Sequence, residues 1–161
     1  MASNGGLLEK RVFDVNILAI YLVKGHPGFA CVSPIVEQGL RGTYIPLIID
    51  FLPVRAYWIM TKRWGLSEKD CRASIEHFLS NYDMPRYLCL GRETIAYGFQ
   101  LSENLKHDVF DCMYLALALR EKATGIITTD TDFEKLCKTL GLEYINPVPR
   151  EVLKRFNEQN K

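Results

Sequence analysis

Apolar and polar positions alternate along the chain in blocks that predict short strands separated by helices. Apolar runs of strand length occur at Val12-Phe13, Tyr44–Ile49, Tyr87–Leu90, Gly125–Thr129 and Leu142–Ile145. Helical segments are predicted between and after these runs: from Asn16 to near Gly25, Phe29–Leu40, Phe51–Trp64, Ser67–Leu79, from Thr94 to near Leu105, Asp108–Arg120, Thr131–Leu140 and Glu151–Asn157. This alternation predicts an α/β fold with a central parallel sheet of four to five strands between two helical layers.

The clearest helical signal is the segment Asp108–Arg120. Its sequence, DVFDCMYLALALR, is apolar on almost every face beyond the first turn, which predicts a helix buried against the sheet. The predicted helix from Thr94 to Leu105 is less regular, because Gly98 lies inside it, and we expect it to be loosened there.

Length and composition favour one domain of a soluble protein. With 161 residues, the chain is expected to form a flexible tail over residues 1–11 and a single domain over residues 12–161. The tail lacks the apolar stretch of a signal peptide, and no segment reaches the roughly 18 apolar residues of a membrane span. Five cysteines without a C-x-x-C spacing argue against a zinc knuckle or a disulfide framework and predict a cytoplasmic protein. A net charge of +1 leaves nucleic-acid binding to local patches.

Several aspartates lie at the predicted ends of strands or in the first turn of the buried helix. Asp14 and Asp130 each follow a strand, Asp50 follows Ile45–Ile49, and Asp108 and Asp111 share one helix face. Each has an ordinary interpretation as a turn residue, a helix cap or a favourable first-turn charge. In a parallel sheet, however, the carboxyl ends of the strands meet at one edge, so these side chains could converge.

Convergence of three or four carboxylates has a chemical consequence. Their mutual repulsion is unfavourable unless a cation offsets it, and oxygen ligands without clustered His or Cys favour Mg²⁺ or Mn²⁺. Such an ion can activate water against a phosphodiester. Serine–histidine catalysis is disfavoured, because His26, His77 and His107 look isolated and no G-x-S-x-G motif occurs.

Three segments resemble the PIN domain, and specifically the VapC-type toxins. They are Phe13-Asp14-Val15-Asn16, the run from Phe110 to Ala118 (FDCMYLALA) and the run from Ile127 to Phe133 (ITTDTDF). The resemblance extends from Val12 to about Pro147. It implies a PIN-like three-layer fold and cleavage of RNA with Mg²⁺ or Mn²⁺ held by three or four acids.

The resemblance assigns roles by position. Asp14, Asp111 and Asp130 match the family's metal-binding acids, Asp132 resembles an auxiliary acid, and Asn16 and Thr128 resemble the polar residues that orient the ligands. The family's remaining acid is usually a glutamate that opens a helix after the second strand. Glu37 keeps the residue type but lies within a helical stretch, whereas Asp50 follows an apolar run and starts a helix. Asp50 is therefore the favoured fourth catalytic acid, with Glu37 as the alternative.

The resemblance also implies a function and partners. It implies an endoribonuclease that acts as the toxin of a toxin–antitoxin pair, with an RNA substrate, an antitoxin that covers the active-site groove, and a homodimer. Arg55, Lys62 and Arg63 follow Asp50 and could contact phosphates, although a solvated basic face explains them equally well. The departure at the fourth acid leaves a second hypothesis open, a non-catalytic PIN-like module that binds RNA or protein.

Overall fold

Five parallel strands form the central sheet. The computed structural model describes residues 6–158. The strands are β1 (Lys10–Phe13), β2 (Ile45–Ile49), β3 (Arg86–Leu88), β4 (Gly125–Ile127) and β5 (Glu143–Ile145), in the order β3-β2-β1-β4-β5. β1 is central, and its Val12 lies opposite Leu47 of β2 and Ile126 of β4. With helices flanking the sheet, the predicted α/β/α fold is confirmed.

The helices connect these strands. They are α1 (Val15–Tyr21), α2 (Phe29–Leu40), α3 (Leu52–Trp58), α4 (Glu68–Asn81), α5 (Gly91–Leu105), α6 (Val109–Arg120), α7 (Phe133–Leu140) and α8 (Arg150–Glu158). A π-helical turn, Ile59–Arg63, extends α3, so the predicted helix Phe51–Trp64 is divided into two forms of helix. None of the helices within residues 6–158 has the length and apolar character needed to cross a membrane.

The buried character of α6 is as predicted. Residues Leu115 to Ala118 are fully buried, and Tyr114 is nearly so, because α6 packs against β1 and β4. The helix begins where Asp108 caps it: Asp108 Oδ1 accepts hydrogen bonds from the backbone N–H groups of Phe110 at 2.8 Å and Asp111 at 3.4 Å. Asp108 therefore has the ordinary capping role.

The structure differs from the sequence prediction at the start of β1 and at Gly98. β1 begins at Lys10 rather than Val12, while residues 6–9 form neither helix nor strand, and residues 1–5 of the predicted tail lie outside the described residues. The expected loosening at Gly98 is wrong, because α5 is continuous from Gly91 to Leu105. Gly98 instead allows α6 to approach closely: a Cβ there would lie 2.5 Å from Met113 Sδ.

Candidate active site

Asp14 lies at the junction between the central strand and the first helix. Its backbone is extended at the N-cap position of α1, and its N–H donates to the Ile127 carbonyl oxygen at 3.1 Å, which ties it to β4. The residue is only 4% exposed. The side chain accepts a hydrogen bond on Oδ2 from Thr128 Oγ1 at 2.7 Å. A carboxylate is thus held in a fixed place, almost out of contact with water.

Thr128 connects this carboxylate to the acids that follow β4. Phe13 pairs with Ile127, so the next residues along the two strands, Asp14 and Thr128, come side by side. Thr128 Oγ1 also accepts a hydrogen bond from the backbone N–H of Asp130 at 3.0 Å. The N–H of Asp132 in turn donates to Asp130 Oδ1 at 2.9 Å, although Asp132 itself is exposed. Thr128 therefore orients both strand-end acids.

Asp111 reaches the same region from the first turn of α6. His107, which follows the end of α5, donates a hydrogen bond from Nε2 to Asp111 Oδ2 at 2.8 Å. The interpretation of His107 as isolated is therefore wrong. The four-residue spacing of His107 and Asp111 was the one sequence signal for this contact. Helical periodicity did not reveal it, because His107 precedes the Asp108 cap and lies outside α6.

The electrostatics of the three acids show that their charges interact. Burial raises the pKa of Asp14 to about 6; hydrogen bonds from Thr128 and the Val15 backbone oppose this shift, and the charges of Asp111 and Asp130 add to it. Burial also raises the pKa of Asp111, with the His107 hydrogen bond opposing and the charge of Asp130 adding. The ionised state of this group is therefore unfavourable, and a nearby cation would stabilise it.

The donor atoms fit a hard divalent ion whose coordination is completed by water. Within residues 6–158, no three His, Cys, Asp or Glu side chains are gathered closely enough to form a three-residue metal cluster. Mg²⁺ usually keeps several waters and takes only one or two carboxylates. Asp14, Asp111 and Asp130 offer carboxylate oxygens alone. They could supply the one or two direct ligands of such an ion.

The two candidates for the fourth acid lie in different places. Asp50 follows β2, whose carboxyl end faces the same sheet edge as Asp14. Its side chain is exposed and forms no hydrogen bond or ion pair with another described side chain, while its N–H donates to the Leu88 carbonyl oxygen. Glu37 pairs with Arg41 at 3.1 Å, and its charge acts on Tyr21, at the far end of α1 from Asp14. The structure therefore does not bring Glu37 to the acidic group.

The predicted RNA-binding residues also lie in different surroundings. Arg63 is exposed and lines a small cavity of about 210 Å³ together with Asn16, a half-buried residue of α1, and Thr129. Lys62 instead pairs with Glu68 at 2.8 Å.

Arg55 lines a different cavity, together with Phe110 and Tyr114. Its guanidinium lies 5.1 Å from the centre of the Phe110 ring, and its charge acts on the hydroxyl of Tyr114. Arg55 and Arg63 therefore line separate cavities.

Tyr114 is a site residue that sequence reasoning did not single out. It is buried one turn after Asp111 on α6, and the charges of Asp14 and Asp111 both act on its hydroxyl. Burial raises the pKa of Tyr114, so the hydroxyl stays protonated and neutral beside the carboxylates. Its three-residue spacing from Asp111 places it on the same helix face and could have identified it.

The comparison with protein families decides the classification. A model of the PIN domain matches residues 11–139, most of the chain. The chain belongs to the PIN domain family. This confirms the resemblance seen in the three acidic segments, all of which lie within the matched range. No curated protein matches the chain in sequence.

Solved structures similar to this PIN domain include toxins of toxin–antitoxin systems. VapBC2 of Rickettsia felis, bound to a fragment of its promoter DNA, is 15% identical with a TM-score of 0.63, covering 85% of this chain and 98% of that one. The sarcin-ricin-loop-cleaving toxin VapC20 of Mycobacterium tuberculosis is 13% identical with a TM-score of 0.60, covering 78% and 93%. A toxin–antitoxin complex of Klebsiella pneumoniae is 18% identical with a TM-score of 0.58, covering 86% and 98%. At these identities the likeness concerns the fold.

Proposed function

We propose that this PIN domain is a metal-dependent endoribonuclease that hydrolyses phosphodiester bonds of RNA. The observation that carries the proposal is the environment of Asp14. This carboxylate is oriented by Thr128, and burial raises its pKa, with the charges of Asp111 and Asp130 adding to the shift. A fold gains nothing in stability from such repulsion, so the arrangement is best explained by a cation that the acids bind during function.

Each residue of the group has a distinct part in this chemistry. A bound Mg²⁺ or Mn²⁺ would supply an activated water and offset the charge that develops on the phosphodiester. Asp14, Asp111 and Asp130 hold the ion, with Asp132 as an accessory acid. Thr128 and His107 keep the acids in place through their hydrogen bonds.

Residues around the acids would position the RNA. Asp50, at the same sheet edge, would orient the attacking water. Asn16 lies beside the acids on α1. Arg55 and Arg63 would each bind a phosphate on either side of the scissile bond, whereas Lys62 is engaged by Glu68 and is not expected to contribute.

A cleavage assay tests the proposal. We expect the protein to cut an end-labelled single-stranded RNA in Mn²⁺ or Mg²⁺ and not in EDTA. Asp14→Asn and Asp130→Asn should abolish cleavage without unfolding the chain, because asparagine keeps the side-chain shape while removing the charge. Asp83→Asn, at an exposed position after α4, is the matched control and should cut normally. Unchanged cleavage by both Asp14→Asn and Asp130→Asn would overturn the proposal.

We further propose that the nuclease is the toxin of a toxin–antitoxin pair, forms a homodimer and acts in the cytoplasm. The fold-level likeness to the Rickettsia and Klebsiella complexes supports the pairing with an antitoxin. A small DNA-binding protein encoded beside this chain should then bind it and suppress cleavage in the same assay. Failure of the neighbouring protein to inhibit would contradict the pairing but leave the nuclease activity standing.

A non-catalytic RNA-binding module is the second candidate. One observation favours it: the position after β2 carries the shorter aspartate Asp50, whose side chain is exposed and unengaged. RNA binding without any cleavage across a titration of Mn²⁺ would support this candidate against the nuclease.

A further inference from the structure

An apolar groove opens beside the acidic group, between α3, α5 and α6. It encloses about 670 Å³, within the range of about 300–1,000 Å³ that is usual for ligand pockets. Four aromatic side chains around it are more than half exposed: Phe51 at 60%, Trp58 at 55%, Phe99 at 59% and Phe110 at 61%. Exposed rings gathered around one opening are uncommon on a monomer and mark a binding surface.

The groove is lined by the neighbours of Asp111 on α6. Phe110 immediately precedes Asp111, and Tyr114, one turn further along α6, forms part of the groove wall. The charges of both Asp14 and Arg55 act on the Tyr114 hydroxyl. A ligand in the groove would therefore contact the residues on either side of Asp111, next to the proposed metal-binding acids.

Arg55 indicates which kind of occupant fits. Its guanidinium lies over the Phe110 ring, and no carboxylate in residues 6–158 forms an ion pair with it. An apolar protein segment that filled the groove would bury this cation without a partner, which is costly. A nucleotide brings both a flat base for the rings and a phosphate for the arginine.

We infer that the groove holds an unpaired base of the RNA substrate next to the bond that is cut, with Phe99 and Phe110 contacting the base and Arg55 its phosphate. The inference rests on the proposed nuclease function and gives that site a subsite for one base. A base within a duplex cannot present its face to these rings, so loops and unpaired ends would be selected.

The test measures binding separately from cleavage. Affinity for a labelled 12-nucleotide single-stranded RNA is measured in EDTA, in an Asp130→Asn background, so that the RNA remains intact. Adding Phe99→Ala or Phe110→Ala should weaken binding roughly 5- to 150-fold, the effect typical of losing one stacked base. Tyr97→Ala, an exposed aromatic on α5 outside the groove, is the matched control and should bind as the background does.

Three further comparisons test the contacts with the base, the backbone and the unpaired strand. An RNA of abasic ribose phosphates should bind the groove variants and the background equally, because it lacks the base. Arg55→Gln should reduce the slope of log affinity against log salt concentration by about 0.7, the loss expected for one phosphate contact on a single strand. A hairpin duplex should bind more weakly than the single strand.

The outcomes distinguish this inference from the nuclease proposal. If the wild type cleaves RNA and the groove variants bind RNA normally, the groove inference alone is overturned. The same holds if the groove variants change only the mass measured by sedimentation, because a second copy of the chain would then be the occupant of the groove. RNA binding that depends on the groove without any cleavage supports the groove and overturns the nuclease. A background that does not bind RNA overturns the groove inference, while cleavage by the wild type decides the nuclease proposal.

Discussion

Asp14 is the residue whose environment differs most from that of a surface carboxylate. Burial and two neighbouring acids raise its pKa to about 6, above the ordinary 3.8 expected in the unfolded chain. The folded state therefore binds the proton more tightly than the unfolded state. Its contribution to stability is greatest below about pH 4, falls as the pH rises towards 6, and remains unfavourable at neutral pH.

Asparagine at position 14 should therefore stabilise the metal-free protein. At pH 7 we expect Asp14→Asn to raise the free energy of unfolding by about 1–3 kcal/mol, which corresponds to a pKa difference of about two units. The gain should shrink at pH 5, where wild-type Asp14 is mostly protonated. Urea unfolding in EDTA at both pH values, with Asp83→Asn as the control, measures this. An Asp14→Asn variant less stable than wild type at pH 7 would contradict the account.

His107 makes the second prediction at this scale. Because it orients Asp111 without being a proposed ligand, His107→Ala should lower metal-dependent cleavage by about 10- to 100-fold, as is typical for partners of metal ligands. His107→Gln, which keeps a donor, should recover part of the loss. His77→Ala removes a histidine that bonds only within α4 and serves as the control. Equal activity in His107→Ala and His77→Ala would show that the contact has no role.

At the scale of elements, the site depends on strands that end level with one another. Thr128 and Asp130 follow β4, and the position of this strand is set by close pairing with β5 at Gly125. A Cβ at Gly125 would lie 2.8 Å from Glu143 Cβ and against its backbone. The absence of a side chain there allows the two strands to approach.

Gly125→Ala should therefore weaken the fold. We expect a loss of about 1–3 kcal/mol in the free energy of unfolding, the usual effect of overpacking. Gly25→Ala, where a Cβ would meet no atom within 4 Å, should change it by less than about 0.5 kcal/mol. Thermal and urea unfolding of the two variants make the comparison. If both glycines tolerate alanine equally, the close approach of β4 and β5 is not a constraint.

Elements with strong local patterns could be predicted from the sequence, and those that depend on distant contacts could not. The continuous apolar character of α6 and its Asp108 cap are local properties, and both were predicted correctly. Gly98 looked like a break because glycine weakens isolated helices. Its actual role depends on Met113 from a neighbouring helix, and no local pattern contains that contact.

At the scale of the whole molecule, the strand order explains where the acids meet. The chain places β2 and β3 on one side of β1, then crosses to build β4 and β5 on the other. The crevice beyond β1 and β4 is the point where the order reverses, the usual ligand site of such sheets. Asp14, Thr128 and Asp130 lie there, and α6 adds Asp111.

This topology also explains which residues of the site could be predicted from the sequence. Aspartates that follow strands could be assigned to the sheet edge by the rule for parallel strands, because their position depends on the backbone alone. The fourth acid could not be assigned in this way. Its placement depends on how the segment between α1 and α3 packs, and that packing separates Glu37 from Asp14 by the length of α1.

The most direct test of the account is the location of a bound ion. Crystals soaked in Mn²⁺ should show an anomalous difference peak between the carboxylates of Asp14, Asp111 and Asp130, with waters completing the coordination. The peak should disappear in crystals of Asp14→Asn. An absent peak in saturating Mn²⁺, or one confined to Asp50 or Glu37, would contradict the claim that these three aspartates form the metal site.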